Sequence, residues 1–154
     1  MRLEKERGRG AEGHLGPLLI LGPQDIWEPT SGAELRSHHL ARQLSAFLEV
    51  IYLCFRRDAG SEPERRTLAG LGGNPLEVWR IPRPRMYTFP KLLRGLLGRT
   101  PLTLLNYTCP AMREALSAGF REHRFDFLQI ESVHMAAYLE KILSRADRPW
   151  AVVC

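Results

Sequence analysis

The sequence predicts an α/β fold, a Rossmann-like parallel sheet flanked by helices, and two observations carry that prediction. First, the apolar runs Pro17-Leu-Leu-Ile-Leu21 and Glu49-Val-Ile-Tyr-Leu-Cys-Phe55 read as buried strands. Parallel strands covered on both faces are continuously apolar rather than alternating. Second, the small-residue turn Pro29-Thr-Ser-Gly32 between them opens a helical pattern with Ala33, Leu40, Leu44 and Phe47 as its apolar stripe. Strand, turn, helix and strand form the opening unit of a doubly wound domain. Ligands of such domains sit just beyond the carboxyl ends of the strands, where this turn is expected.

The later elements follow in order. Residues 56–74 are polar and glycine-bearing, with a short helix expected from Glu62 to Leu71. Pro75–Ile81 is a third strand candidate, and Pro82-Arg-Pro-Arg85 closes it because proline lacks the N–H a sheet or helix needs. In the next segment Phe89, Leu92, Leu93, Leu96 and Leu97 fall on one helical face. Pro110 suits the first turn of a helix running to about His123, with Met112, Ala115, Leu116 and Phe120 inward. Phe125–Ile130 is a fourth strand, Ser132–Arg145 a helix, and Arg148–Cys154 the start of a fifth strand. A buried parallel strand is normally followed by a covering helix, so the chain is expected to be the first part of a longer protein.

At 154 residues the chain suffices for one domain with a real core. Residues 1–15 are expected to be a disordered basic leader and 16–154 the folded domain. The leader has no apolar segment of the secretory kind behind its charges. No run approaches the roughly 18 apolar residues of a membrane span, so a cytoplasmic location is expected. Cys54, Cys109 and Cys154 are widely spaced, which suggests neither a disulfide framework nor a zinc site. The net charge of +5 rests on 19 Arg against 3 Lys. Either codon bias or contact with phosphates and anionic surfaces accounts for that excess.

Four groups of residues can carry chemistry. At Ser31-Gly32 the backbone can come close to a ligand, and the helix N-terminus favours an anion. Arg36, one turn on, flanks the predicted stripe; it either reaches a phosphate or carboxylate over the sheet edge or pairs at the surface. His38 is expected on the solvent side of this helix and His39 beside the stripe, and neither has the spacing of a metal ligand. Glu131, Ser132 and His134 follow the fourth strand. Glu131 either accepts hydrogen bonds from sugar hydroxyls or caps the helix beside it. Between Arg80 and Arg113 no acidic residue occurs; the cations include Arg80, Arg83, Arg85, Lys91, Arg94 and Arg99. Its amphipathic segment either docks in a membrane interface or packs on the sheet. Neither GxGxxG, GxxxxGK[ST] nor GxSxG is present, and no nucleic-acid module is visible.

Several segments occur in the order seen in one enzyme family. They are the helix pattern carried by Gly32, Arg36, Ser37, His39, Leu40 and Leu44, then Leu105-Asn-Tyr-Thr-Cys109. Phe125-Asp-Phe-Leu-Gln-Ile-Glu131, Met135-Ala-Ala-Tyr138 and Pro149-Trp-Ala-Val-Val-Cys154 follow. Over residues 16–154 the chain resembles the N-terminal, acceptor-side domain of a GT-B-fold glycosyltransferase of family 4, closest to the bacterial exopolysaccharide branch. Segment 105–109 corresponds there to a strand and turn. The resemblance implies transfer of a sugar from a nucleotide-sugar donor to a glycan or lipid-linked acceptor. It places Ser31, Gly32 and Arg36 at the donor-phosphate cleft and Glu131 and His134 at the acceptor. Arg80, Arg83, Arg85, Lys91, Arg94 and Arg99 would meet an anionic acceptor or the inner face of the cell membrane. No resident cofactor or metal is implied. The family's glycine pair is here Ser31-Gly32 or Gly32-Ala33, depending on register, and its second domain, which binds most of the donor, has no counterpart in this sequence. The chain alone is therefore expected to be inactive. The alternative from another class is a non-enzymatic Rossmann-like binding or interaction module.

Overall fold

The computed structural model describes residues 16–98, 100–144 and 151–153. Expectations that fall on the leader at 1–15, on Arg99, on 145–150 and on Cys154 lie outside the described residues. Six strands form one sheet: β1 (Leu18–Leu21), β2 (Val50–Phe55), β3 (Glu64–Leu68), β4 (Leu76–Ile81), β5 (Phe127–Ile130) and β6 (Ala151–Val153). Their spatial order is β3-β4-β2-β1-β5-β6. All pair in parallel except β3, which runs antiparallel to β4 along the edge. The fold is therefore α/β with a Rossmann-like sheet. From β1 the chain builds outward through β2 to β4, then crosses to β5 on the other side of β1. That reversal between β1 and β5 is a topological switch point, where the connections diverge and leave a crevice at the carboxyl ends.

Period-two alternation divides the strand residues between two cores. On one face Leu19, Leu21, Ile51, Leu53, Phe55, Trp79 and Ile81 meet Met112, Leu116 and Phe120 of α4 (Pro110–Glu122), with Met135, Tyr138 and Ile142. On the other, Leu18, Ile20, Val50, Tyr52, Cys54 and Val78 lie under α1 (Gly32–Leu44). Gly119 lets α4 approach the sheet; a Cβ there would stand 3.1 Å from the Trp79 ring.

Four local expectations are corrected. Residues expected as a helix over 62–71 form β3, whose register runs from Glu64 opposite Arg80 to Leu68 opposite Leu76. The free edge of β4 supplied hydrogen-bond partners that outweigh the helix propensity of Glu and Arg. The inward side of α1 is Ser37 and Ala41, both buried, whereas Ala33 and Phe47 are exposed. Small side chains face the sheet because they let the helix sit close to it. Segment 105–109, a strand and turn by resemblance, belongs largely to α3 (Leu102–Tyr107). The helix expected from Ser132 starts as a 3₁₀ turn, Val133–Tyr138, before α5 (Leu139–Leu143). There the Met135 N–H donates to the Ser132 carbonyl at 2.9 Å.

Candidate functional site

The crevice at the β1/β5 switch point holds a cavity of about 300 Å³ lined by Pro23, Gln24, Arg36, Tyr107, Glu131 and His134, among others. A second hollow of about 520 Å³ adjoins it and shares Arg36, Glu131 and Ser132. Each wall has a simple origin. The loop after β1 brings Pro23 and Gln24, the first turns of α1 bring Arg36, and the exit of β5 brings Glu131. The cavity therefore joins residues 23 and 134, far apart in the chain, because parallel strands put all their carboxyl ends on one side.

Glu131 is the centre of this wall. The Tyr52 hydroxyl, reaching up from β2, donates to Glu131 Oε2 at 2.6 Å. Burial and the neighbouring Glu131 charge push the Tyr52 hydroxyl well above the ordinary phenol range, so it stays a donor. Gly22 is required for this contact, since a Cβ there would lie 2.1 Å from the Tyr52 oxygen. The other carboxylate oxygen, Oε1, is buried and has no hydrogen-bond partner among the described residues. A buried acceptor of this kind is costly unless a donor reaches it. Next along the chain, Ser132 Oγ lies 2.6 Å from His134 Nδ1 and accepts from the His134 backbone N–H at 3.2 Å. The His134 ring packs on Tyr107 with centroids 4.6 Å apart.

Two guanidinium groups face the same space. Arg36 is exposed and has no ion-pair or hydrogen-bond partner among the described residues. Arg83, grouped by sequence with the basic run, lines the cavity with its guanidinium 6.0 Å from the Tyr107 ring centroid. Chemically, the cleft offers a carboxylate acceptor, an imidazole, an aromatic wall and two cations.

No protein family model, curated protein or solved structure matches this chain.

The remaining predicted residues fall elsewhere. Ser31 caps α1, accepting from the Glu34 N–H at 3.2 Å, while Glu34 Oε2 accepts from the Ser31 and Thr30 N–H groups at 3.0 and 2.8 Å. The chain's own carboxylate thus occupies the first turn where an anion was expected. Neither Ser31 nor Gly32 lines the cavity, and space around Gly32 is open enough for a Cβ. His38 is not turned to solvent: its Nδ1 donates to the Ile26 carbonyl at 2.9 Å, and His39 is the exposed member of the pair.

Arg80 is the largest departure. Expected at an anionic surface, it is 5% exposed inside the sheet. Its Nη2 donates to Asp25 Oδ2 at 2.7 Å, its Nε to both Asp25 oxygens, and its Nη1 to Glu64 at 2.6 Å. Asp58 completes the ring at 3.0 Å. Desolvation opposes the charge on Arg80, but the hydrogen bonds it donates to Asp25 outweigh that and raise its pKa above the usual value. Asp25 stands on the loop after β1, so this buried pair fixes the wall that carries Pro23 and Gln24. Sequence reasoning missed Tyr52, Gly22 and Asp25. The one legible sign was a tyrosine inside an otherwise apolar strand, whose hydroxyl must find a partner when buried.

Proposed function

We propose that this chain is the acceptor-side domain of a sugar transferase of the GT-B, family 4 type. It would hold a hydroxyl-bearing glycan or lipid-linked acceptor while a second α/β domain presents the nucleotide-sugar. The observation that carries this reading is Glu131 in the wall of the switch-point cavity, one of whose carboxylate oxygens is buried without a hydrogen-bond partner among the described residues. With one oxygen held by Tyr52, Glu131 would accept a hydrogen bond from an acceptor hydroxyl that reaches the other. Arg36 and Arg83 beside it suit a ligand that also bears a phosphate. His134, pinned through Ser132 and Tyr107, lines the same cavity.

The test is a titration of the isotopically labelled chain with glucose 6-phosphate, followed by amide chemical shifts. Shifts are expected at Arg36, Ser37 and Glu131–His134, with about tenfold weaker binding in Glu131→Gln, the usual value of a charged hydrogen bond. Absence of shifts at those residues, or unchanged affinity in Glu131→Gln, overturns the reading. A second arm offers the chain a nucleotide-sugar. No turnover is expected, because transfer needs both reactants positioned across two domains; turnover by these 154 residues alone would sink the half-site reading.

A further inference from the structure

Helix α2 (Phe89–Leu97) has no buried residue, although its sequence is more strongly amphipathic than that of α1 or α4. At about 100° per residue, Phe89, Leu92, Leu93, Leu96 and Leu97 share an arc of about 140°. That arc points away from the protein: Phe89 is 76% exposed, Leu96 82% and Leu97 78%. The contrast with α4 is direct, since Met112, Leu116 and Phe120 on its apolar side are all buried. The opposite side of α2 is the one that meets the body. Gly95 lies against Leu102, where a Cβ would be 3.1 Å from its side chain, and Lys91 Nζ donates to the Arg85 carbonyl at 2.8 Å.

The helix is also held in this pose from its entrance. Tyr87 takes a left-handed backbone conformation, φ 54°, and its N–H donates to Oδ1 of the buried Asn106 at 3.0 Å. This turn leaves the Tyr87 ring 64% exposed next to Phe89. Arg94 is exposed beside the apolar arc, Arg85 is exposed in the segment that leads into the helix, and the sequence from Val78 to Arg113 contains no carboxylate. An apolar stripe edged by cations and an aromatic has the chemistry of a helix lying in a lipid interface.

We propose that α2 docks this protein on a bilayer rich in anionic headgroups. The Phe89–Leu97 face enters the acyl boundary, and Arg85 and Arg94 lie at the level of the lipid phosphates. Charge separates this occupant from a second copy of the chain. Two copies meeting face to face through a two-fold axis would bring like cations together, whereas an anionic leaflet neutralises them. The inference is independent of the reading of the cleft.

Co-sedimentation of the full chain with vesicles of phosphatidylcholine, with and without phosphatidylglycerol, tests it. Binding to the anionic vesicles is expected to exceed binding to the zwitterionic ones by roughly tenfold or more, and to weaken in high salt. Leu96→Asp/Leu97→Asp is expected to reduce binding to background with the melting temperature unchanged, since both side chains are already exposed. Equal binding to both vesicles, no binding to either, or an unaffected double variant overturns the proposal. So does a wild-type dimer on size exclusion that the double variant converts to monomer, because a second copy would then be the occupant.

Discussion

Arg80 shows how a single residue can be read correctly by type and wrongly by place. Its neighbours Ile81, Pro82 and Arg83 contain no acid, so the local sequence suggests a solvated cation. Its partners, Asp25, Asp58 and Glu64, come from 55, 22 and 16 residues away, and only the folded sheet assembles them. Breaking a buried pair leaves the other charge stranded, which typically costs about 3–5 kcal/mol. Asp25 carries most of that effect here, because Asp58 and Glu64 retain contact with water. Arg80→Met is therefore expected to lower unfolding free energy by about 3 kcal/mol or more in urea denaturation. A change below about 1 kcal/mol would mean that Asp25 finds other partners. Glu131 and His134 were legible for a different reason: a polar cluster directly after an apolar strand falls at the carboxyl end by topology alone. Tyr52 was hidden because its ring satisfies an apolar pattern and only its hydroxyl takes part in the site.

Among the elements, the buried parallel strands were the most readable, since β1 and β2 are continuous apolar runs and β4 is apolar apart from Glu77 and Arg80, with a proline on either side. Helix α1 was found, but its rotation about its own axis was not. Large apolar residues usually mark the inward face, whereas here Ser37 and Ala41 occupy it because the sheet lies so close. Strand β3 was unreadable locally because its Glu-Arg-Arg core has helical propensity and its partner strand lies outside the window. The start of α1 makes a measurable case. Ser31 and Glu34 satisfy each other's backbone donors, and Arg57 adds an ion pair to Glu34 at 3.2 Å. Ser31→Ala is expected to lower stability by about 1 kcal/mol, the ordinary worth of an N-cap, as read from thermal melts. Equal stability would mean that Glu34 alone closes the first turn.

At the scale of the whole molecule, several carboxylates respond to pH in one direction. Desolvation pushes Glu34 up, but hydrogen bonds from the Thr30 and Ser31 backbone lower it below its ordinary 4.5. The Arg56 hydrogen bond holds Asp58 far below its ordinary 3.8, while Arg66 lowers Glu64 and Arg65 lowers Glu122. A carboxyl whose folded pKa is depressed stabilises the fold above its unfolded pKa and loses that contribution as pH falls through the folded value. The melting temperature is thus expected to be unaffected by these groups above about pH 5 and to fall progressively below about pH 4.5. A melting temperature that rises on acidification would contradict the assignment. The same global view gives the Tyr52–Glu131 contact a further meaning. Tyr52 pairs with Ile20, Ile20 pairs with Gln129, and the hydroxyl then meets the residue just past β5. A slip of one residue in either pairing would put Tyr52 and Gln129 on opposite faces of the sheet and part the hydroxyl from Glu131. Occupancy of the cleft is therefore also an assay of strand alignment: a chain that folds one step out of phase would keep its helices and its compactness, and be blind.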